Sequence, residues 1–244
     1  MKKIKYVEKK YFENEGKRSI YGMDILLDIG CGIMPQQEYH PKVHICAEPF
    51  TQYVEVLQKK ITKDVMQDRK WIILQNDFNQ ILDTIPDNSV DTIMMIDVIE
   101  HIEKEEVKKQ LTKMLKKVRQ QCVIVTPLGF MPQEHETSVD AWGLNGAEQQ
   151  VHLSGWEPED FEGADWEFVI CKEYHLTNNM DEKLDQAYGR LYAIYTNPEF
   201  IQRGFIKKLK IYLLASLYSY KFIKYLYSYK LIRNLYSKFK KIVK

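Results

Sequence analysis

Residues 26–32, LLDIGCG, decide how this chain folds. The apolar run ILLDI (25–29) stops at two glycines spaced two apart. A short continuous apolar run is the pattern of a strand covered on both faces, as in a parallel sheet. Glycine in the following turn lets the backbone bend sharply and lets a ligand approach with no side chain in the way. In open parallel sheets, ligands bind at the carboxyl ends of the central strands.

The pattern repeats outward from this strand. Val43 to Ala47 is a second apolar run, followed by Tyr53, Leu57 and Ile61 at helical spacing. Trp71 to Leu74 is a third, closed by Gln75-Asn76-Asp77. The turn Pro86-Asp87-Asn88-Ser89 launches a fourth, Val90 to Ile96. Val107, Leu111, Met114, Leu115 and Val118 then mark one apolar face of a lysine-rich helix. Cys122 to Val125 is a fifth strand, expected to stop at Thr126-Pro127. Gly129 to Asp165 is polar with embedded Trp and His, the character of a functional lid. Trp166 to Cys171 and Tyr188 to Tyr195 complete seven strands.

Strands alternating with helices imply right-handed βαβ units. The expected fold is α/β: an open, mostly parallel seven-stranded sheet with helices on both faces. The domain is placed at 20–198, with 129–165 as acceptor or lid loop, after a lead-in at 1–19. Residues 199–244 are expected to form a basic, tyrosine-rich helical tail.

Composition agrees with a packed body. Of 244 residues, 45% are hydrophobic, enough for a sizeable core and too many for wholesale disorder. The net charge of +1 hides an asymmetry. From Ile201 to Lys244 there are twelve Lys or Arg and no Asp or Glu, so the rest of the chain carries a balance of -11. Cys31, Cys46, Cys122 and Cys171 lie in or beside apolar runs and form no CxxC pair, which reads as buried thiols in a reducing compartment. The N-terminal residues lack the apolar core of a secretory signal. The longest uncharged tail segment, Ile211 to Tyr220, is half of what a membrane-spanning helix needs. The expected location is cytoplasmic, with the tail able to lie on the inner face of a membrane.

That tail repeats every nine residues: LYSYKFIKY (217–225), LYSYKLIRN (226–234), LYSKFKKIV (235–243). Its basic and aromatic side chains suit an anionic membrane surface. Nucleic acid would also take the charges and stack on the rings, but the many leucines and isoleucines favour lipid. Packing on the body or on a second subunit is the third possibility.

Chemistry concentrates at the strand ends. Asp28 precedes Gly30 and Gly32. Glu48 ends the second strand, where a carboxylate can accept from both hydroxyls of a ribose. Asp77 ends the third and can accept from an adenine amino group. Asp97 opens DVIEH (97–101) after the fourth. A glycine turn alone could equally open a dinucleotide site, but the pattern G-x-G-x-x-G would need a small residue where Pro35 stands. The set DIGCG (28–32), Glu48 in ICAEPF, Asp77 in LQNDF and SVDTIMMIDVIEHIEKEE (89–106) is more telling. Over residues 26–127 the chain closely resembles the Rossmann-like class I S-adenosylmethionine-dependent methyltransferases. The resemblance implies S-adenosyl-L-methionine as cofactor. It would place Asp28, Gly30 and Gly32 around its methionine part, Glu48 at its ribose, Asp77 at its adenine and Asp97 near its amine. The chain departs from the family at Met34, where a third glycine is common. It also has only about ten residues between Gly32 and the second strand, so the GIMPQ segment (32–36) is expected to replace the first helix as a loop over the cofactor. HLSGWEPEDF (152–161) resembles a subgroup encoded with bacterial surface-glycan synthesis.

On this resemblance the reaction is methyl transfer, to a sugar hydroxyl of a surface polysaccharide or its lipid-linked precursor. A small molecule or quinone-type lipid is the alternative acceptor. A non-catalytic binding protein and a nucleic-acid methyltransferase are the readings of other classes. A hydroxyl needs a base, and His101 and His152 are the candidates because imidazole titrates near neutrality. Asp97 and Glu100 are second choices. Trp142 and Trp156 could stack on sugar rings or anchor core or lid. QEHE (133–136) has metal-ligand residue types with no matching second cluster, so no metal is expected.

Overall fold

The computed structural model describes residues 2–62, 69–133, 137–177, 183–204 and 206. Met1–Asn197 form one compact unit. Its centre is a single eight-stranded sheet in the order β1-β7-β8-β6-β5-β2-β3-β4. The strands are β1 (Lys3–Tyr6), β2 (Ile25–Ile29), β3 (Val43–Ala47), β4 (Lys70–Leu74), β5 (Val90–Ile96), β6 (Val118–Leu128), β7 (Trp166–Thr177) and β8 (Lys183–Thr196). Only β8 runs against the others: it pairs antiparallel with β6 and β7, while every other pairing is parallel.

The seven expected strands are all present, and β1 is an eighth. Its sequence, KIKY, is four residues long and carries two lysines. A short lysine-bearing strand is a protected sheet edge, and it is too short to signal itself in sequence. Strand β6 runs on through Thr126 and Pro127 to Leu128, where the sequence reading ends it. Its neighbour β5 gives out first: the last contact is Asp97 N–H to Val125 O at 2.8 Å. Pro127, two residues on, faces the same side, where no acceptor strand remains. A missing N–H costs nothing there, while pairing with β8 continues to Leu128.

Helices cover both faces. On one face α3 (Phe78–Thr84) and α4 (Lys104–Lys117) pack through Ile81, Leu82, Val107, Leu111 and Met114 on Leu27, Ile93, Met95 and Ile124. On the other, α1 (Lys9–Arg18) sets Phe12 against Leu26, Met94, Val123 and Tyr192. Leu26 and Leu27 go to opposite clusters because strand side chains alternate faces. Helix α2 (Thr51–Ile61) adds Leu57 to a small cluster with Cys31 and Cys46. All four cysteines are buried and unpaired, as expected.

Between β2 and β3 there is no helix, and residues 30–42 are loop. Gln36 N–H donates to Asp28 Oδ2 at 2.9 Å, the Gln36 side chain holds both N–H and C=O of Tyr39, and Lys60 donates to Ile33 O at 2.7 Å. From β2 the chain steps outward to β3 and β4, then returns to the other side of β2 as β5. The β2/β5 boundary is therefore the topological switch point, where the crevice for a ligand opens.

Candidate cofactor and acceptor site

A cavity of about 450 Å³ lies at that switch point, within the range typical of small-ligand sites. Gly30, Gly32, Glu48, Asp77, Asp97 and His101 all stand on its wall. Four strand ends (β2, β3, β4, β5) thus supply the rim, as the spacing of the motifs required.

Each rim group is held by local geometry. Gly30 and Gly32 have φ of +65° and +55°, the left-handed region where a side chain is strained. A Cβ on Gly30 would lie 2.8 Å from both methyls of Val98. Glu48 is buried, and its two oxygens accept from Gly32 N–H and Phe50 N–H, each at 2.9 Å. Burial pushes its carboxyl above the usual range and the two N–H groups pull back. Each carboxylate oxygen keeps a second lone pair for a ligand hydroxyl. Asp77 caps α3: its Oδ1 accepts from Gln80 N–H at 2.8 Å while Gln80 Oε1 accepts from Asp77 N–H. Asp97 sits at φ +53°, a conformation rare for a residue with a side chain and common at functional sites. Its Oδ2 accepts from Arg190 at 2.7 Å.

Asp28 stands apart. Ile29 reaches the cavity, so Asp28 points to the other face of the sheet. There it is 3% exposed, and Oδ2 takes both the Gln36 N–H and His44 Nε2, the latter at 3.0 Å. His44 is fully buried and stacks on Trp71 at 4.4 Å. Burial alone would lower its pKa, but the bond to Asp28, with Cys46 adding, raises it to about 9. Asp28 in this structure braces the turn from behind. The GIMPQ segment also departs from expectation: Ile33 to Gln36 line a separate groove with Leu57 and Trp71. What lies over Gly32 is Trp142, whose ring would be 2.6 Å from an added Cβ.

Trp142 belongs to the 129–165 segment, whose described part folds over the strand ends. Asp140 anchors it, accepting from Trp142 and Leu144 N–H and from the Tyr53 hydroxyl at 2.6 Å. The Tyr53 ring in turn meets Trp142 edge-on at 4.9 Å. The two candidate tryptophans part company here. Trp156 is a core anchor, fully buried with Nε1 bonded to Ile99 O and Ser154 Oγ, while Trp142 is 39% exposed at the cavity wall.

Beyond Asp97 and His101 a second cavity of about 390 Å³ opens, lined also by Glu100, His152, His175 and Arg190. His101 borders both cavities, and His152 only the second. Their rings meet edge-on at 4.9 Å. His101 Nδ1 lies 3.0 Å from Val151 O and His152 Nδ1 lies 2.5 Å from Met131 O. A carbonyl only accepts, so Nδ1 carries the hydrogen in each ring and Nε2 is the basic nitrogen. Glu100 is 2% exposed and accepts from Thr126 Oγ1 at 2.9 Å. Burial first, then the charge of Asp97, pushes its carboxyl up to about 8. Burial and Arg190 push His175 down to about 4.

Tyr53 and Arg190 emerge from the structure as site residues beside those expected, and Glu100, a second-choice base in the sequence, joins them on the second cavity. Arg190 had a signal: it is a lone cation within the apolar strand GRLYAIY (189–195). Tyr53 had none, because its position fits the apolar face of α2. Glu134, His135 and Glu136 lie outside the described residues.

Residues 27–125 match a family model described as a methyltransferase domain. This segment, 99 of the 244 residues, is similar to a methyltransferase domain. Its cofactor is S-adenosyl-L-methionine, and the residues fit that molecule: a glycine turn admits its backbone-like part, and the Glu48 carboxylate suits its ribose diol. A search of curated proteins returns no match. Among solved structures, a methyltransferase from Archaeoglobus fulgidus is 15% identical, with a TM-score of 0.46 over 78% of this chain and 95% of that one. Magnesium protoporphyrin IX methyltransferase from Synechocystis PCC 6803 with bound cofactor is 13% identical, with a TM-score of 0.43 over 76% and 75%. The cyclopropane synthase MmaA2 from Mycobacterium tuberculosis is 17% identical at 0.40, and the aligned part spans 44% of its length.

Proposed function

We propose that this chain methylates a hydroxyl of a sugar-containing acceptor, a surface polysaccharide or its lipid-linked precursor. The observation that carries the reading is the second cavity. It adjoins the cofactor cavity at Asp97 and His101, and carboxylates, imidazoles, amides and a guanidinium line it. Such a wall suits a polyhydroxylated acceptor and would leave buried polar groups unmatched against an apolar quinone ring. The HLSGWEPEDF segment, with its glycan-cluster resemblance, supplies His152 to this wall.

When bound, S-adenosylmethionine supplies a methyl group activated by a positively charged sulfur. Glu48 and Asp77 would hold its ribose and adenine ends, and Asp97 would receive its amine. Trp142 and Tyr53 close over the glycine turn and exclude water. Methyl transfer needs an acceptor oxygen aligned behind the methyl, and the polar wall does that positioning. Transfer would form the oxygen–carbon bond as the carbon–sulfur bond breaks and S-adenosylhomocysteine leaves, and the hydroxyl proton would pass to Nε2 of His101, whose ring packs against His152. Asp97 and Glu100 are less suited as bases: the first is paired with Arg190 and the second is held by Thr126.

The tail, 201–244, is proposed to rest on an anionic membrane surface and bring the site to a lipid-linked acceptor. All but its first residues lie outside the described structure, so the reading stands on its charge and tyrosine content. Among the described residues no helix is long and apolar enough to cross a membrane. Flotation with anionic vesicles, lost on removing 201–244, checks it.

The acceptor test is transfer of labelled methyl from S-adenosylmethionine to sugar nucleotides, lipid-linked oligosaccharides and quinols in parallel. The reading expects label on a sugar oxygen and loss of transfer in His101→Ala. Label confined to quinols would overturn it.

A further inference from the structure

We propose that Arg190 and His175 form a subsite for an anionic group in the acceptor cavity, so that the molecule methylated there carries a carboxylate or a phosphate besides its hydroxyl. Assigning that anion to an acceptor rests on the methyltransferase reading, whereas binding of the anion does not.

Both side chains line the second cavity, and neither stands on the wall of the cofactor cavity. Tyr174 holds them together. Its ring lies 4.9 Å from that of His175 and 5.2 Å from the Arg190 guanidinium. Its hydroxyl donates to Glu13 Oε1 at 3.2 Å, which ties it to α1. Arg190 leaves the chain from a paired strand position, opposite Pro127 in the β6–β8 ladder. A fork mounted on a strand and stacked on a fixed ring is pre-organised for a ligand.

Much of the hydrogen-bonding capacity of this pair is unspent. A guanidinium donates from three nitrogens. Among the described residues only Asp97 accepts from Arg190, through Nη2 at 2.7 Å. Arg190 Nε and His175 Nε2 are buried with no hydrogen-bond partner among the described residues. Unmatched buried nitrogens are costly, and two on neighbouring side chains of one cavity point to a ligand that accepts from them. The guanidinium is within reach of one, since the Arg190 side chain remains 12% exposed.

The local charge has the sign to attract an anion. Beyond burial, Arg190, Lys9 and His152 disfavour a charged imidazole at His175, while Asp97 favours it. Lys9 stands over the same Tyr174 ring, at 5.0 Å. Of the two acids on the cavity wall, Asp97 is paired with Arg190 and burial favours the protonated form of Glu100. An anion would therefore meet a fork-shaped cation beside carboxyl groups that are paired or neutral.

The test is calorimetric titration of the full chain near pH 7 with inorganic phosphate, glucuronate, glucose 1-phosphate and glucose, with and without S-adenosylhomocysteine. The anionic probes should bind at least about tenfold more tightly than glucose. Preference for glucuronate assigns a carboxylate and preference for the phosphates a phosphate, and either supports the subsite. In proton magnetic resonance, the ring signals that disappear in His175→Gln should shift when the anionic probes are added to the wild type. Arg190→Gln should weaken anion binding at least about tenfold and leave S-adenosylhomocysteine binding within about threefold. If that variant unfolds, Arg190→Lys keeps the charge opposite Asp97 but loses the fork, and should still weaken anion binding at least about threefold. No preference for anions in the wild type, or unchanged anion affinity in a folded Arg190 variant, overturns the proposal. An equal loss of S-adenosylhomocysteine affinity in Arg190→Gln also overturns it, because the guanidinium would then serve the cofactor. Cofactor binding without anion binding refutes the subsite alone. Anion binding without cofactor binding refutes the methyltransferase reading and leaves the subsite standing.

Discussion

Replacing Asp28 with Asn probes whether this residue braces the glycine turn or touches the cofactor. The oxygen that matters, Oδ2, accepts from both His44 Nε2 and Gln36 N–H. An Asn oxygen can occupy the same place and keep both bonds, so the substitution removes the charge and little else. His44 has a folded-state pKa of about 9 against an ordinary 6.5. A base whose pKa is raised on folding stabilises the fold fully below its unfolded value. That contribution disappears as the pH rises through the folded value. The rise corresponds to about 3 kcal/mol, with Asp28 the principal source and Cys46 a smaller one. Asp28→Asn should therefore cost about 2–3 kcal/mol near pH 6 and less than about 1 kcal/mol near pH 9.5. Urea unfolding of both proteins at the two pH values measures it, because other titrating groups cancel in the difference. A cost that does not change with pH would refute a charged His44–Asp28 pair. A large loss of cofactor affinity with no loss of stability would return Asp28 to the cofactor.

Other substitutions test the remaining walls. Gly30→Ala forces a side chain into the left-handed region against Val98, and should cost about 2–3 kcal/mol in unfolding free energy while abolishing measurable cofactor binding. A protein of wild-type stability and affinity would mean the turn is looser than its geometry. Tyr53→Phe removes the hydroxyl that ties α2 to Asp140, and should cost about 1–3 kcal/mol. It should also raise the KM for S-adenosylmethionine severalfold at nearly unchanged kcat; unchanged KM would show that the segment over Gly32 is held by other contacts.

Much of this was legible in the sequence because it lies in short-range pattern. LLDIGCG fixed a buried strand and turn, and the acids at 48, 77 and 97 fell at strand ends because each follows an apolar run directly. The lack of a first helix was legible from Pro35, Pro41 and the short spacing. What the sequence hid depends on long-range pairing. KIKY becomes a strand only by lying along β7, and Pro127 is tolerated only because β5 has already ended. Asp28 changes role through strand parity, which moves a side chain to the opposite face of the sheet. The Glu100–His101–His152 cluster joins segments fifty residues apart, and no local pattern reports that. Trp156 and Trp142 have similar surroundings in sequence and opposite burial in the fold.

The central claim is that the crevice between β2 and β5 holds S-adenosylmethionine through Glu48. Titration calorimetry with S-adenosylmethionine and S-adenosylhomocysteine, on the wild type and on Glu48→Ala, tests it most directly. Both ligands should bind the wild type with micromolar affinity. Loss of the carboxylate proposed to accept from the ribose should weaken binding at least about tenfold, since bonds to a charged group are worth about 1.5–3 kcal/mol each. A wild-type protein that binds neither ligand, or a folded Glu48→Ala protein that binds as tightly as wild type, would contradict the account.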